Sequence, residues 1–181
     1  IVALLAALLA TLLAGCQPRE VTVQIHPAAA TDQPLTKIVF LAGPDSHLPG
    51  AHEHKAGSEL LSSALRQRQP SIETINVYGG WPADESLFDD VAAVVMYCDG
   101  GDTHLIKDHL QTFNRLLDKG VGILALHYCV EVPKGSPAAQ SMLTAIGGYF
   151  ETNWSVNPVW TANYTALPNH PVTRELQPFT L

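Results

Sequence analysis

Residues 37–57 read KIVFLAGPDSHLPGAHEHKAG, and this stretch decides how the chain is predicted to fold. A short apolar run ends at Gly43, and three histidines and two acids follow it within a few residues. Apolar runs of this length are typical of strands buried in a parallel sheet. In open α/β sheets, the ligand site lies just beyond the carboxyl ends of the strands. The stretch therefore predicts a buried strand followed by candidate site residues.

Two later stretches repeat this change from apolar to polar residues. Residues 92–104 read AAVVMYCDGGDTH, and residues 120–131 read GVGILALHYCVE. The carboxyl ends of neighbouring parallel strands meet at the same edge of a sheet. We therefore expect the three polar clusters to share one crevice.

The spacing of apolar residues predicts an α/β fold. Helical spacing alternates with short apolar runs, which predicts strands over 37–43, 72–78, 91–97 and 121–127 and helices over 55–68, 103–119 and 137–146. This order indicates a flavodoxin-like, mostly parallel sheet with helices on both faces. The domain is expected to span residues 37–181 and to be incomplete at its C-terminus, since the chain ends within an apolar run.

The first residues predict an export signal. Residues 1–16 read IVALLAALLATLLAGC, an apolar run that ends in small residues and begins without Met, so we expect an N-terminally incomplete signal peptide over 1–15. Leu13-Ala14-Gly15-Cys16 has the pattern of a bacterial lipobox, in which Cys16 is lipidated. A plain signal peptide or a membrane helix is the alternative, although the run is short for a span. Residues 16–36 predict a tether, and the expected location is the periplasm or cell envelope, anchored to the membrane by the lipid.

Charge and length limit the classes of partner. The chain has 181 residues, enough for one domain with a core, and its net charge is −7. Nucleic acids and anionic membrane surfaces attract basic patches, and no such patch is visible. No glycine-rich nucleotide-binding motif is present either. These observations argue against nucleic acid as a partner.

The first polar cluster offers histidines for acid–base chemistry or for a metal. His47 lies nearest the predicted strand end, and His52 and His54 follow it in an alternating pattern that places both on one side of an extended segment. The alternative is a polar loop that caps the next helix. We expect His47 in the catalytic group, with His52 and Glu53 in contact with substrate.

The second cluster contains an acid beside two glycines. Gly100 and Gly101 let the backbone approach a ligand closely, although a tight turn before a helix would also explain them. Asp99 has no capping duty at that distance from the helix, so we expect it to be a functional acid.

The third cluster places His127 where several α/β enzymes hold a nucleophile on a sharp turn. Glu131 is expected to pair with His127, and Tyr128 to contact substrate. The alternative is a core histidine bonded to the backbone. Cys129 suggests a Cys–His hydrolase, but residues two apart do not readily hydrogen-bond. A disulfide between Cys98 and Cys129 is feasible in an oxidising compartment, and two free thiols are the preferred expectation.

Aromatic residues late in the chain suit either a sugar ring or a core. Trp154 stands among polar residues in the segment ETNWSVNP, residues 151–158, and we expect it to contact substrate.

The chain resembles the ThuA-like (trehalose utilisation) family, in particular its secreted members. The resemblance spans residues 37–181 and rests on SHLPGAHEHKAG, NVYGGWP, YCDGGDTH, GVGILALHYCVEVPKG, IGGYFETNWSVNPVWTA and LPNHPVTRELQPF. It implies a class I glutamine amidotransferase-like fold and a link to sugar metabolism. The parent pattern G-x-C-x-G is replaced by residues 125–129, ALHYC, so His127 takes the nucleophile's place. The resemblance also implies strand-end histidines that hold a metal, with His47, His104 and His127 as candidates.

Three functions follow as hypotheses. The first is an exported, lipid-anchored enzyme that acts on a carbohydrate or oxidised sugar by hydrolysis, isomerisation or proton abstraction. His127 would be the general base or a metal ligand, supported by Asp99, His47 and Glu131. The second is a sugar-binding lipoprotein without catalysis, and the third an amidase that uses Cys129. The cofactor is left open, with a divalent metal such as zinc as the candidate, and the oligomeric state is not predicted.

Overall fold

The computed structural model describes residues 20–29, 32 and 34–181. The predicted leader and the lipidation of Cys16 lie outside the described residues. Among those described, no helix has both the length and the apolar character needed to cross a membrane.

A mostly parallel five-stranded sheet forms the centre of the protein. Its strands are β1 (Thr22–His26), β2 (Thr36–Ala42), β3 (Ile72–Tyr78), β4 (Val91–Tyr97) and β5 (Gly122–Leu126). They lie in the order β1-β3-β2-β4-β5, and every neighbouring pair is parallel except β1 with β3. The prediction of an α/β fold with a mostly parallel sheet is confirmed.

Three helices accompany the sheet: α1 (His54–Arg68), α2 (Leu110–Asp118) and α3 (Pro137–Ile146). The central strands are long apolar runs, and burial of those runs between the sheet and the helices forms one core. The core is built from residues of every layer, among them Val39, Leu41, Val77, Val94, Met96, Phe113, Leu116 and Met142. The remaining strands, β6 (Asn163–Tyr164) and β7 (Phe179–Thr180), form a short antiparallel pair late in the chain.

The predicted tether over 16–36 is wrong for residues 22–26, which form β1. Thr22 pairs with Tyr78 and His26 with Thr74, so this segment covers the open edge of β3. Val23 and Ile25 remain exposed. The strand is therefore held by backbone hydrogen bonds rather than by burial, which explains why the weak apolar pattern did not reveal it.

The predicted helix over 103–119 begins later, at Leu110. Residues Gly101–Thr103 form a single 3-10 turn, and His104 is extended, with a ψ of 133°. The reason is a side chain: the imidazole of His104 enters the core, where its Nε2 lies 2.7 Å from the carbonyl oxygen of Cys129. That contact requires a backbone direction that a helix at this position would not allow.

The strand predicted over 121–127 ends one residue early. β5 stops at Leu126, and His127 opens a 3-10 turn (His127–Val130) with a φ of 58°. This left-handed conformation turns the chain sharply at the carboxyl edge of the sheet. His127 therefore lies on a strand-to-loop elbow, as its sequence position indicated.

Candidate functional site

The loops that follow β2, β4 and β5 meet at the carboxyl edge of the sheet. A Cβ atom on Gly43 would lie 2.7 Å from the Cβ of Cys98, so only glycine lets the first two loops come this close. A Cβ atom on Gly100 would lie 2.5 Å from the carbonyl oxygen of Tyr128. Gly101, at a φ of 62°, donates its N–H to the carbonyl oxygen of Glu131 at 2.9 Å. Both glycines of the second cluster thus join loops to each other, and this packing accounts for them without a ligand.

His52 lies at the centre of the site. Its Nδ1 is 2.9 Å from Oδ1 of Asp99, and its Nε2 is 3.3 Å from Nε2 of His127. The ring of His47 lies 3.9 Å from that of His52, centroid to centroid. The three loops therefore bring His47, His52, Asp99 and His127 together, and His52 is the link among them.

Hydrogen-bond chemistry assigns the protons along this chain. A carboxylate only accepts, so Nδ1 of His52 carries the proton donated to Asp99. In neutral His52, Nε2 is then an acceptor, and Nε2 of His127 is its donor. This leaves Nδ1 of His127 as an acceptor. Asp99, His52 and His127 thus form a polarised chain from a carboxylate to an exposed imidazole.

Asp99 is ionised in this environment. Burial opposes its charge, but hydrogen bonds from Ser46 and His52 and the nearby His54 outweigh burial and lower the pKa of its carboxyl. A charged acceptor makes the bond from His52 stronger than a neutral one would be.

His127 is poised as a neutral base. Partial burial lowers its pKa, and the neighbouring His52 and His54 lower it further, against a smaller opposing effect of Asp99. The ring of Tyr128 stacks on His127, with the centroids 4.4 Å apart. At neutral pH, His127 therefore presents an unprotonated nitrogen that a reacting proton can reach.

His47 is exposed and has a φ of 65°, so two site histidines occupy left-handed conformations. Ser46 supports the cluster from below, because its hydroxyl lies 2.9 Å from Nδ1 of His47 and 3.0 Å from Nδ1 of His52. Ser46 also forms an isolated β-bridge with His52. The sequence analysis did not single out Ser46, which carries no signal beyond its place between Asp45 and His47.

His54 is wholly buried at the start of α1. Its Nδ1 lies 2.8 Å from the carbonyl oxygen of Pro44, and its ring meets Tyr97 edge to face. Its Nε2 lies 3.8 Å from Oδ1 of Asp99. The alternation of His52 and His54 in the sequence anticipated that both would face one side, but not that one would be buried.

His104 does not join the predicted metal group with His47 and His127. Its Nε2–H donates to the carbonyl oxygen of Cys129, and its Nδ1 accepts the N–H of Ile106 at 3.2 Å. Both ring nitrogens are therefore engaged, so His104 has no lone pair for a metal. Burial lowers the pKa of this histidine, which keeps it neutral, and it is a structural residue of the core.

Cys98 and Cys129 are buried free thiols, so the preferred expectation of two free cysteines is confirmed. The hydrogen bond with Cys98 and burial raise the pKa of Cys129 well above its ordinary value. A nucleophilic cysteine needs an accessible thiolate. Cys129 has neither the access nor the ionisation that an amidase would require.

The two predicted glutamates lie beside the crevice rather than in the histidine chain. Glu131 accepts a hydrogen bond from Thr152 at 2.9 Å, and no contact between Glu131 and His127 is found among the described residues. Glu53 accepts the N–H of Gly50 at 2.6 Å and closes a turn of the first loop. Their predicted pairing and substrate contact have no direct partner here.

The late aromatic segment borders the crevice. Asn157 donates to the hydroxyl of Tyr128 at 3.3 Å, and Thr152 contacts Glu131 as described. The side chain of Trp154 in the same segment is 82% exposed. It is available to a ligand but packs little against the protein.

A cavity of about 570 Å³ opens over these loops, with His47, Asp99, Gly79 and Thr103 in its wall. A second cavity of about 430 Å³ shares His47 and Asp99 and adds Tyr128 and Glu131. Cavities of this size hold small organic molecules.

Two groups of side chains have donor atoms close enough together for a metal. In each group the ligand atoms lie within 4.8 Å of one another: His47, His52 and Asp99 in one, Cys98, His104 and Cys129 in the other. Only the first has free donors and an opening to solvent, and its imidazole and carboxylate groups suit a divalent ion such as zinc.

No protein-family model, curated protein or solved structure matches this chain.

Proposed function

We propose that this chain is an exported ThuA-like protein whose His–Asp crevice acts on a carbohydrate or oxidised sugar. The resemblance in sequence motifs supports the family, with its flavodoxin-like, class I glutamine amidotransferase-like fold. If the four parallel strands are counted along the chain, their order across the sheet is 2-1-3-4. That order is consistent with the flavodoxin-like arrangement.

The observation that carries the proposal is the hydrogen-bonded chain from Asp99 through His52 to His127. A carboxylate that fixes the tautomer of one histidine, which in turn contacts an exposed second histidine, suits a general base. Nδ1 of His127 would take the proton, and the positive charge would be stabilised through His52 by Asp99.

Proton abstraction next to the carbonyl of an oxidised sugar is the reaction this arrangement supports best. Such a carbon-bound proton is weakly acidic, so its removal needs a positioned base in a partly desolvated site. Isomerisation would start with the same step, and hydrolysis would use the same base on a water molecule. The polar crevice wall, with His47 and Tyr128, would bind hydroxyl groups.

A divalent metal such as zinc is the cofactor that the donor set would accept. His47, His52 and Asp99 would hold it. When bound, such an ion polarises a carbonyl oxygen as a Lewis acid.

The location is part of the proposal. The leader over 1–15 and the lipobox support export and attachment of the protein to the cell envelope through Cys16. A small-molecule carbohydrate is the proposed partner, and the acidic charge balance argues against nucleic acid.

A sugar-binding lipoprotein without catalysis is the second candidate. It is favoured by the exposed indoles of Trp154 and Trp160 in the late segment, since such rings stack on sugars. Tight binding without turnover, weakened by Trp154→Ala, would support this candidate over the enzyme.

The test follows exchange of carbon-bound protons in D₂O by NMR, for a panel of sugars and their keto-oxidised forms. We expect exchange at the carbon beside the carbonyl for wild type and for the control His170→Ala, which alters an exposed histidine far along the chain. We expect a loss of about 10²-fold or more for His127→Ala. Exchange that is equally fast in His127→Ala would contradict the proposal.

A further inference from the structure

The buried histidine His54 has a free acceptor in a place where none is expected. Among the described residues its one hydrogen bond joins Nδ1 to the carbonyl oxygen of Pro44, so Nδ1 must carry the proton. In the neutral ring, Nε2 is then a lone pair. This atom is inaccessible to solvent and has no hydrogen-bond partner in the part of the chain that the structure describes. A buried polar atom without a partner is costly and calls for an explanation.

The lone pair of His54 faces another acceptor. Oδ1 of Asp99 lies 3.8 Å from Nε2, and the carboxylate is ionised. Two electron-rich atoms that face each other across a gap repel unless a positive charge lies between them. The gap must therefore hold a proton on His54 or a cation.

The distance favours a cation. An N–H···O hydrogen bond spans about 2.7–3.2 Å between heavy atoms, and 3.8 Å is longer than that. Zinc bonds of about 2.0–2.1 Å to nitrogen and about 2.0–2.2 Å to oxygen place two ligands up to about 4 Å apart across the ion. The observed separation is within that limit.

The second contact of His54 also matches a metal ligand. A histidine that binds a metal through one nitrogen usually donates the other N–H to a carbonyl or carboxylate, which fixes the ring. The carbonyl of Pro44 has this role for His54. The same carboxylate oxygen of Asp99 lies 2.9 Å from Nδ1 of His52, so a third donor is adjacent.

We propose that His54 and Asp99 are the inner ligands of a divalent metal site, completed by His52 or His47, with its open position towards the crevice. The inference specifies the cofactor part of the proposed function and differs from the predicted group of His47, His104 and His127. It does not depend on the sugar chemistry, because binding can be measured without a substrate.

The experiment measures metal binding to the whole leader-free chain. Metal-free protein is titrated with Co²⁺, whose visible absorption reports a low-coordinate site, and with Zn²⁺ in competition with a chelating dye. We expect one ion per chain for wild type and for the control His170→Ala. We expect His54→Gln and Asp99→Asn each to weaken binding by about 10-fold or more.

A measurement on wild type guards against misfolding of His54→Gln, since this side chain is buried. Protein labelled with ¹⁵N-histidine is titrated with ¹¹³Cd²⁺, and a cadmium coupling to Nε2 of His54 is expected. Coupling only to His47 and His52 would overturn the assignment of His54. So would a metal-free protein in which both ring nitrogens of His54 carry protons at neutral pH and added ions leave its signals unchanged.

The two proposals fail separately. Metal binding through His54 without any proton exchange on sugars would leave the site and remove the enzyme. Proton exchange that needs His127 in protein that binds no metal would do the opposite.

Discussion

At the residue scale, two histidines of the site adopt backbone conformations that side chains rarely take. His47 has a φ of 65° and His127 a φ of 58°. Left-handed non-glycine residues cost free energy and cluster at functional sites. Both positions turn a loop so that an imidazole faces the crevice. The geometry of the loops, rather than the regular sheet, therefore sets the direction of these rings.

Asp99 is expected to decide which nitrogen of His52 carries the proton. Asp99→Asn replaces a charged acceptor by an amide, which can donate as well as accept. We expect His52 to change from a single Nδ1–H tautomer to a mixture, as measured by ¹⁵N chemical shifts of the ring. The control Asp102→Asn, at an exposed acid of the adjacent turn, should leave the shifts of His52 unchanged. An unchanged tautomer in Asp99→Asn would contradict the polarised chain.

Gly100 is expected to be the glycine least tolerant of a side chain at this edge. In Gly100→Ala the new Cβ would meet the carbonyl oxygen of Tyr128 at 2.5 Å and the Cβ of Glu131 at 2.6 Å. Backbone atoms must move to relieve this, and we expect a loss of about 1–3 kcal/mol in the free energy of unfolding. Urea denaturation measures it.

Gly148→Ala is the matched control, because nothing lies within 4 Å of the place that its new Cβ would occupy. Its free energy of unfolding should change by less than about 1 kcal/mol. Equal effects of the two substitutions would show that the loops are not packed as described.

At the element scale, Glu85 joins the link before β4 to helix α2. Its carboxylate accepts hydrogen bonds from Thr112 and from Nε1 of Trp81, the latter at 2.9 Å, and His109 stacks on Trp81. The bond from Thr112 lowers the pKa of Glu85 most, burial opposes it, and Trp81 and His109 lower it further. The two elements are thus held together by an ionised acid.

The stability of wild type is expected to depend on this acid at low pH. Because the pKa of folded Glu85 lies below its ordinary value of 4.5, its contribution is complete above that value and is lost as pH falls through the folded pKa. Glu85→Gln removes this dependence, so the difference in thermal midpoint between wild type and Glu85→Gln should shrink as pH falls below about 4.5.

Exposed Glu59 provides the comparison. The difference between wild type and Glu59→Gln should change less over the same pH range. A Glu85→Gln variant that keeps a constant difference from wild type would mean that Glu85 is not bonded as described.

At the scale of the whole molecule, the sequence allowed the sheet to be predicted better than the site. Strands β3 and β4 have the predicted bounds, because long apolar runs have few other places to lie. The convergence of three strand ends also followed from the parallel topology. The predictions were wrong where a side chain or an exposed backbone decided: at His104, whose buried ring delays helix α2, and at β1, which the apolar pattern scarcely marks.

The site was only half visible for a related reason. Asp99, His47 and His127 follow strand ends, and this position in the chain indicated them. His52 and His54 stand deeper in a loop, and their roles depend on how that loop folds over Asp99. The predicted partner of His127 was Glu131, whereas the partner is His52. Pairing across loops is a tertiary property that spacing alone does not encode.

The edge strand β1 has a mechanical consequence if Cys16 carries a lipid as proposed. The strand begins at Thr22, and the short stretch from Cys16 to that residue spans at most about 21 Å when fully extended. The strand is hydrogen-bonded into the sheet, so the leash cannot lengthen without breaking those bonds. The domain would then be restricted to a thin layer above the bilayer. Substrate would have to reach the crevice at that height, which favours small, freely diffusing molecules over bulky polymers.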